Sequence, residues 1–519
     1  MWVEGRGLIA ESFFFQYACV THEAGRTRDL RDNIMSSISD PDERRDFSIQ
    51  SLGPRNVSSP YKASRYVSDN ELILHNTNWQ ANSETHPFQG DRETPTAFEL
   101  AGPRDMLYFD PTKTRCGIVT CGGLCPGIND VIRAIVLQLH YYYGVHTIYG
   151  FRYGFEGLVP QYKHEAMMLV PKSVSHIHQQ GGSVLSSSRG SQDSTEMVNA
   201  LERLNIQILF CIGGDGTLRG ASAICKEIQR RGLKIAVIGV PKTIDNDVLF
   251  TDKTFGFETA YSIAANAIRG AHVEANGAPN GVGLLKLMGR HSGFIAAHAA
   301  LASRDANFVL VPEVDFELGG TNGFLPHLLR RLRERGHAVI VVAEGAGQHL
   351  FNNSAGQRET DPSGNVKLKD IGAFMRDSIS EYLKMVGLPF NLKYIDPSYL
   401  IRSSSATPSD SLLAGIYGQM AVHAAMAGKT GMLVGNWHGQ FTHVPIEMAV
   451  SGRKTIDPGS NFWQSVVECT GQPRTMTNRE GGLDAIEASL RLDADIMVPD
   501  EACQSQGNPT SPVLQETSS

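Results

Sequence analysis

The heptapeptide Pro241-Lys242-Thr243-Ile244-Asp245-Asn246-Asp247 sets two carboxylates two residues apart, beside a lysine and a hydroxyl. Phosphoryl transfer needs that mixture: a group to hold magnesium, cations for the phosphoryl oxygens and a base for the attacking hydroxyl. Asp245, Asp247 and Lys242 could fill these roles. A bland polar loop also contains Asp and Asn, though rarely straight after an apolar run that ends in Pro. A second stretch, Gly213-Gly214-Asp215-Gly216-Thr217, places one carboxylate among glycines. Asp is a hard oxygen ligand suited to magnesium, and glycines leave room for a nucleotide's phosphates. The same Asp could instead cap a helix, although glycines on both sides argue against a cap alone. A third stretch, Gly122-Gly123-Leu124-Cys125-Pro126-Gly127-Ile128-Asn129, offers backbone N–H groups and a helix start near Ile128, which together outline an anion site. A tight strand-to-helix turn explains that glycine run equally well. Met288-Gly289-Arg290, Glu344-Gly345-Ala346-Gly347 and Tyr399-Leu400-Ile401-Arg402 add arginines for bidentate phosphate contacts and a Glu that accepts from sugar hydroxyls. Each of these is commonplace alone, and an isolated Arg290 would be read as a surface charge.

Most of these stretches directly follow a short apolar run. The runs are Gly117 to Thr120, Ile206 to Ile212, Ile235 to Val240, Val282 to Leu287, Phe308 to Val311 and Ala338 to Ala343. Continuous β-branched runs of this length suit strands buried on both faces. Amphipathic stretches between them, such as Ser292 to Ala302, suit covering helices. The alternation predicts an α/β fold with parallel sheets, whose ligands bind beyond the carboxyl ends of the strands.

Bulk properties narrow the field. A chain of 519 residues, 41% hydrophobic, can bury a large core and form more than one domain. The formal net charge of −7 leaves no dominant basic field, which argues against a general nucleic-acid binder. Eight scattered cysteines fit free thiols in a reducing compartment. Cys116, Cys121 and Cys125 match no zinc spacing well and read as core thiols plus one loop thiol. No apolar run is long enough to cross a bilayer. Phe13, Phe14 and Phe15 are flanked by Glu11 and Gln16, which weakens a secretory signal. A cytoplasmic protein is expected, with organelle targeting by the N-terminus left open. Residues 1 to about 100 are polar and irregular, and the tail from about 497 is rich in Gln, Ser and Pro.

The segments Gly122 to Asn129, Gly213 to Thr217, Pro241 to Asp247 and Met288 to Arg290, in this order, resemble the phosphofructokinase family over roughly residues 100 to 450. The joint pattern is highly specific, although Gly-Gly-Asp-Gly alone also occurs in NAD kinases and lipid kinases. The extension, Ala101-Gly102-Pro103-Arg104 and the lysine of Pro241-Lys242-Thr243 look like the long ATP-using branch of plants and kinetoplastid protists. The resemblance implies transfer of the γ-phosphoryl group of ATP to the 1-hydroxyl of fructose 6-phosphate, with Mg2+ as cofactor. Gly122, Gly123, Arg189, Gly214, Asp215, Gly216 and Thr217 would form the ATP site, with Asp215 serving the metal. Asp245 would be the base, and Lys242, Thr243 and Asp247 would complete the catalytic group. Thr243, Asp245 and Asp247 would also touch the sugar, alongside Met288, Gly289 and Arg290, with Glu344 on its hydroxyls. Tyr399 and Arg402 would hold the 6-phosphate; many bacterial members carry a histidine where Tyr399 stands. Lys393 falls where those members have an arginine from a neighbouring subunit. Another of their arginines, seven residues before Met-Gly-Arg, is replaced by Gly281.

Two signals bear on the donor. Pyrophosphate-using members carry Asp where this chain has Gly216, and that side chain would intrude on the α-phosphate of ATP. Lys242, in contrast, is typical of pyrophosphate users. A clash excludes a donor whereas a lysine only adds attraction, so ATP is expected. An NAD or lipid kinase would have no use for Pro241 to Asp247 followed by Met288 to Arg290. A non-catalytic regulatory subunit would be expected to lack Asp215 or Asp245. The expected architecture is α/β: two Rossmann-like three-layer domains with mainly parallel sheets, plus an N-terminal extension. Residues 1–104 would be the extension, 105–275 with 403–460 the nucleotide-binding domain, 276–402 the sugar-phosphate domain, and 461–519 a C-terminal segment with a loose tail. A homo-oligomer, preferably a tetramer, is implied because sites in the family borrow groups across interfaces.

Overall fold

The computed structural model describes residues 46–77, 96–351 and 366–478. The strands of its two large sheets run β1 (Leu72–Leu74), β2 (Ala97–Leu100), β3 (Arg115–Thr120), β4 (Thr147–Phe151), β5 (Met167–Met168), β6 (Ile208–Gly213) and β7 (Ala236–Pro241). They continue with β8 (Gly281–Leu287), β9 (Phe308–Leu310), β10 (His337–Ala343), β11 (Asn391–Ile395), β12 (Met432–Trp437) and β13 (Gln440–Pro445). The helices that matter for the site are α1 (Ile128–Leu137), α2 (Asp215–Arg230), α3 (Phe257–Asn276), α4 (Phe294–Ser303), α5 (Ser398–Ser403), α6 (Pro408–Met426) and α7 (Asn461–Thr470).

One nine-stranded sheet has the order β1-β2-β13-β12-β7-β6-β3-β4-β5. Its centre, β12-β7-β6-β3-β4, is parallel, and antiparallel strands close both edges. A four-stranded sheet, β9-β10-β8-β11, is parallel throughout. The expected α/β class with mainly parallel sheets is borne out. Period-two alternation explains the burial of both faces. In β6, Ile208, Phe210 and Ile212 join one core cluster, while Leu209 and Cys211 join another. In β10, Val339 and Val341 face one way, and Ala338, Ile340 and Val342 the other. The cluster between the sheets is continuous: Phe210 and Ile238, Ala260, Ala264 and Ile268 of α3, and Leu285 and Val341 all belong to it.

Part of the stretch read as polar and irregular is built into the first sheet. Phe98 of β2 is buried among Phe47, Phe250 and Trp437. Its neighbour Glu99 lies opposite His443 of β13. The Glu99 carboxylate accepts from Arg104 at 2.8 Å, Lys429 at 2.8 Å and His443 Nδ1 at 3.0 Å. These charges look like surface composition in the sequence, yet Arg104 and Lys429 are buried because they pair. Burial works against ionised Glu99, but His443 and Lys429 win and hold it down at about 2. A depressed carboxyl contributes stability above its unfolded value of about 4.3, which is lost as pH falls. Glu99→Ala removes the carboxylate shared by Arg104, Lys429 and His443 and leaves the two buried cations only the half-exposed Asp69, so chemical denaturation at neutral pH should show a loss of about 3 kcal/mol. An unchanged denaturation midpoint would show that the cluster does not hold this edge.

The C-terminal segment up to Asn478 also packs. The Gln472 amide accepts from Val309 N at 2.6 Å and donates to Val309 O at 3.3 Å, so a side chain completes the edge of β9. Trp463 of α7 is buried in the central core. The tail from about 497 lies outside the described residues. Strands β4 and β12 were not singled out by apolar runs, since Gly150 and Gly435 interrupt their pattern.

Candidate active site

The candidate stretches converge because parallel register aligns the carboxyl ends of their strands. Thr120 pairs with Ile212, and Pro241 with Gly213, in the first sheet; Leu287 pairs with Ala343 in the second. Gly122 and Gly123 therefore follow β3, Gly214 to Thr217 follow β6, Lys242 to Asp247 follow β7, Met288 to Arg290 follow β8, and Glu344 follows β10. The Ser292 hydroxyl donates to Asp245 O at 3.1 Å, linking the two sets of loops.

Gly122 sits at φ 86°, where a side chain would be strained. Its N–H donates to Ser188 O at 3.0 Å and its carbonyl accepts from Ser187 Oγ at 2.6 Å, which lays the Arg189 loop alongside. A methyl group on Gly123 would stand 3.4 Å from the Arg189 guanidinium and 3.6 Å from Arg402 Cζ. Lys242 is buried beneath and donates to Gly123 O. Burial lowers the pKa of that ammonium. The bare glycines thus line an anion cradle walled by three cations. Cys121 and Cys125 pack nearby as buried free thiols, with burial pushing Cys121 up to about 12. A methyl on Gly216 would meet nothing within 4 Å, so that face of the site is open.

Gly214, not Asp215, is the N-cap of α2. The capping alternative therefore does not account for Asp215, whose Oδ2 accepts from Arg219 Nε at 3.1 Å and Arg453 Nη2 at 3.3 Å. The same Arg453 reaches Asp247 Oδ2 with Nη1 at 3.7 Å. Thr243 Oγ1 donates to Asp247 Oδ1 at 3.1 Å and accepts from Asp245 N at 3.0 Å, which shapes the loop. Asp245 Oδ1 is buried with no hydrogen-bond partner. Burial, then the charges of Asp247 and Glu344, push the Asp245 carboxyl well above the usual range, against Arg402 and Arg453. An unsatisfied, basic carboxylate in a cleft is the signature of a proton acceptor.

On the second-sheet side, Met288 is buried and Gly289 takes φ 127°, where a Cβ would lie 2.4 Å from Ser292 O. Glu344 N donates to Leu287 O at 2.8 Å and Gly345 N to Gly289 O at 3.0 Å, locking the two strand-end loops together. Arg290 Nη1 donates to Val366 O at 3.2 Å. Arg402, on α5, is partly buried and feels the charges of Asp245 and Glu344. Tyr399, one turn earlier, is 84% exposed. Lys393 is exposed on the edge strand β11, with no described contact to the other candidates. At Gly281 a Cβ would lie 2.0 Å from Ala275 O, so no side chain fits at this position.

Two site residues escaped sequence reasoning. Desolvation and the charges of Arg453 and Arg290 pull His291 down to about 4, so it is neutral at physiological pH. Its signal was adjacency to Arg290. Arg453 had none: it follows a short helix, 238 residues from Asp215.

Parallel strand ends that gather a glycine cradle, clustered cations and a half-buried carboxylate with an unpartnered Oδ1 define an α/β phosphotransferase site. A family model described as Phosphofructokinase matches residues 115–425, and the chain belongs to that family. It is 49% identical over 449 residues to the ATP-dependent 6-phosphofructokinase of Borreliella burgdorferi, covering 84% of this chain and 99% of that one. The Trypanosoma brucei brucei protein of the same name is 47% identical over 380 residues, covering 73% and 77%. The chloroplastic ATP-dependent 6-phosphofructokinase 5 of Arabidopsis thaliana is 46% identical over 373 residues, covering 72% and 68%. The likeness to plant and kinetoplastid forms is thus borne out. Among solved structures, a pyrophosphate-dependent phosphofructokinase from Marinobacter aquaeolei matches with TM-score 0.57 at 20% identity, over 71% of this chain and 94% of its own. The Pichia pastoris phosphofructokinase matches with TM-score 0.54 at 20% identity, over 75% and 40%. These structural matches concern the fold alone.

Proposed function

We propose that this chain transfers the γ-phosphoryl group of ATP to the 1-hydroxyl of fructose 6-phosphate, giving fructose 1,6-bisphosphate and ADP. The observation that carries this reading is Asp245, half-buried, with its Oδ1 shut away from solvent and without a hydrogen-bond partner, between the loops of the first sheet and those of the second. In this reading Asp245 takes the proton of the 1-hydroxyl as that oxygen bonds to phosphorus and the bridge to ADP breaks. Gly122, Gly123, Gly214, Gly216, Thr217 and Arg189 receive the nucleotide. Thr243 and Asp247 hold the loop, and Met288, Gly289, Arg290 and Glu344 line the sugar. Arg402, which stands between the Gly123 cradle and the charges of Asp245 and Glu344, supplies positive charge for the 6-phosphate, with Tyr399 at the rim. Catalysis of this kind is mostly positioning and charge stabilisation.

Lys242 is committed to the Gly123 carbonyl. That gives the lysine a task in shaping the cradle whichever donor binds, and it leaves the open face at Gly216 as the donor-specific feature. Magnesium fits the donor set: Asp215 and Asp247 converge on one guanidinium, and magnesium is commonly held by one or two carboxylates plus substrate phosphates. Bound there by Asp215, it would neutralise charge on the phosphoryl oxygens. No helix among the described residues is long and apolar enough to cross a membrane. The reading carries with it the division into a nucleotide domain (105–275 with 403–460) and a sugar-phosphate domain (276–402), a cytoplasmic location and a homotetramer in which Lys393 serves a neighbour. In a coupled assay, ADP release should require both magnesium-ATP and fructose 6-phosphate, and pyrophosphate as sole donor should give no turnover. ADP release indifferent to fructose 6-phosphate would sink the reading.

A further inference from the structure

The chain from Val450 to Ile456 is fastened at Val450, Lys454 and Ile456 to elements on both sides of the candidate site. Val450 O accepts from Arg219 Nη2 at 2.8 Å, while Arg219 Nε holds Asp215. Lys454 N donates to Asp247 O at 3.0 Å. Lys454 Nζ donates to Thr251 O at 2.7 Å and Asp252 O at 2.9 Å. Ile456 N donates to Glu313 Oε1 at 2.9 Å, and the same carboxylate accepts from Gly293 N at the start of α4. This one segment therefore joins α2, the Asp245 loop and the second sheet's leading helix. Between its anchors Arg453 places its guanidinium on two carboxylates at once: Asp215 Oδ2 at 3.3 Å and Asp247 Oδ2 at 3.7 Å.

A planar fork can serve two carboxylates together, which a lysine ammonium does less well. Asp215 and Asp247 would repel each other without an intervening cation. The side chains are not sealed from water, with Arg453 28% and Asp215 23% exposed. The longer contact, 3.7 Å to the 14%-exposed Asp247, is a charge pairing and the 3.3 Å contact to Asp215 a long hydrogen bond, so a doubly charged cation can compete with the guanidinium for Asp215. The backbone anchors on either side keep the arginine at the site when its partners change.

We infer that Arg453 is a positioning residue of the reaction: in the free enzyme its guanidinium holds Asp215 and Asp247 where the divalent cation will bind, and it yields Asp215 when that cation arrives with the nucleotide. This deepens the phosphotransfer reading and rests on it.

The test compares wild type with Arg453→Met and Arg453→Lys. Magnesium chloride added to the ADP-saturated protein should raise the thermal midpoint of Arg453→Met more than that of wild type, because the competing cation is gone. Arg453→Met should lose about 10- to 100-fold in kcat, the size of one charge-assisted contact, with the KM for fructose 6-phosphate near the wild-type value. Arg453→Lys keeps the charge without the fork and should recover part of that loss. Equal magnesium shifts in wild type and Arg453→Met, or an unchanged kcat in Arg453→Met, would overturn the inference. A wild type that fails to phosphorylate fructose 6-phosphate would instead overturn the function on which it rests.

Discussion

Replacing Asp245 with Asn should lower kcat by about 10² to 10⁴, the usual size of general-base catalysis. Sugar-phosphate binding should stay near normal, since Asn keeps the shape and Arg402 and Glu344 remain. The same carboxyl sets a pH dependence. Burial and the neighbouring Asp247 and Glu344 raise its pKa, so the protonated, inactive form persists above the ordinary aspartate value of about 3.9. The kcat/KM of wild type should therefore rise with pH along an acid limb displaced upward, and Asp245→Asn should lack that limb. Stability has the opposite sign. A carboxyl whose folded pKa is raised binds more protons folded than unfolded, so its contribution falls as pH rises. Asp245→Asn should consequently unfold at a higher temperature than wild type at neutral pH. A mutant with full turnover would remove Asp245 from the mechanism.

Gly216→Asp should cripple the use of ATP without unfolding the protein. The position lies in the first turn of α2, and a Cβ there meets no atom within 4 Å. Gly216→Ala should for that reason be tolerated, even slightly stabilising. An aspartate differs by its charge. At about 4 Å from a nucleotide phosphate and an effective dielectric of about 20, like charges cost about 4 kcal/mol. That corresponds to a rise in the KM for ATP of about 10³. The KM for fructose 6-phosphate should move far less, because Gly216 lies on α2 while the candidate sugar ligands Met288 to Arg290 and Glu344 follow strands of the second sheet. An unchanged KM for ATP in Gly216→Asp would show that the open space beside Gly216 is not where the nucleotide lies.

Much of the chemistry was legible before the fold. The order of glycine and carboxylate stretches, and their place after apolar runs, depends on local residue types, so Asp215, Asp245 and the Met288 to Arg290 turn could be read off directly. Strand positions followed from β-branched runs whose alternate residues enter different cores. Where that signal was interrupted, as by Gly150 and Gly435, the strands went unseen. Residues around Glu99 look like a polar extension, because a buried charge is indistinguishable from an exposed one until its partners Lys429 and His443 are brought across from two other strands.

The sequence by itself determined which groups are available at the strand ends and which donor space is left open, since Gly216 has no side chain wherever it sits. Tertiary structure decided what those groups have become. Asp245 is a stronger base than its residue type implies because the fold buries it beside two other carboxylates. Lys242 is a support for the glycine cradle, and Gly281 has no room for a side chain. Arg453 enters the site only because a segment near the end of the described chain is fastened on both sides of it. Such effects depend on distance and solvent exclusion between residues far apart in the chain, and no local pattern records them.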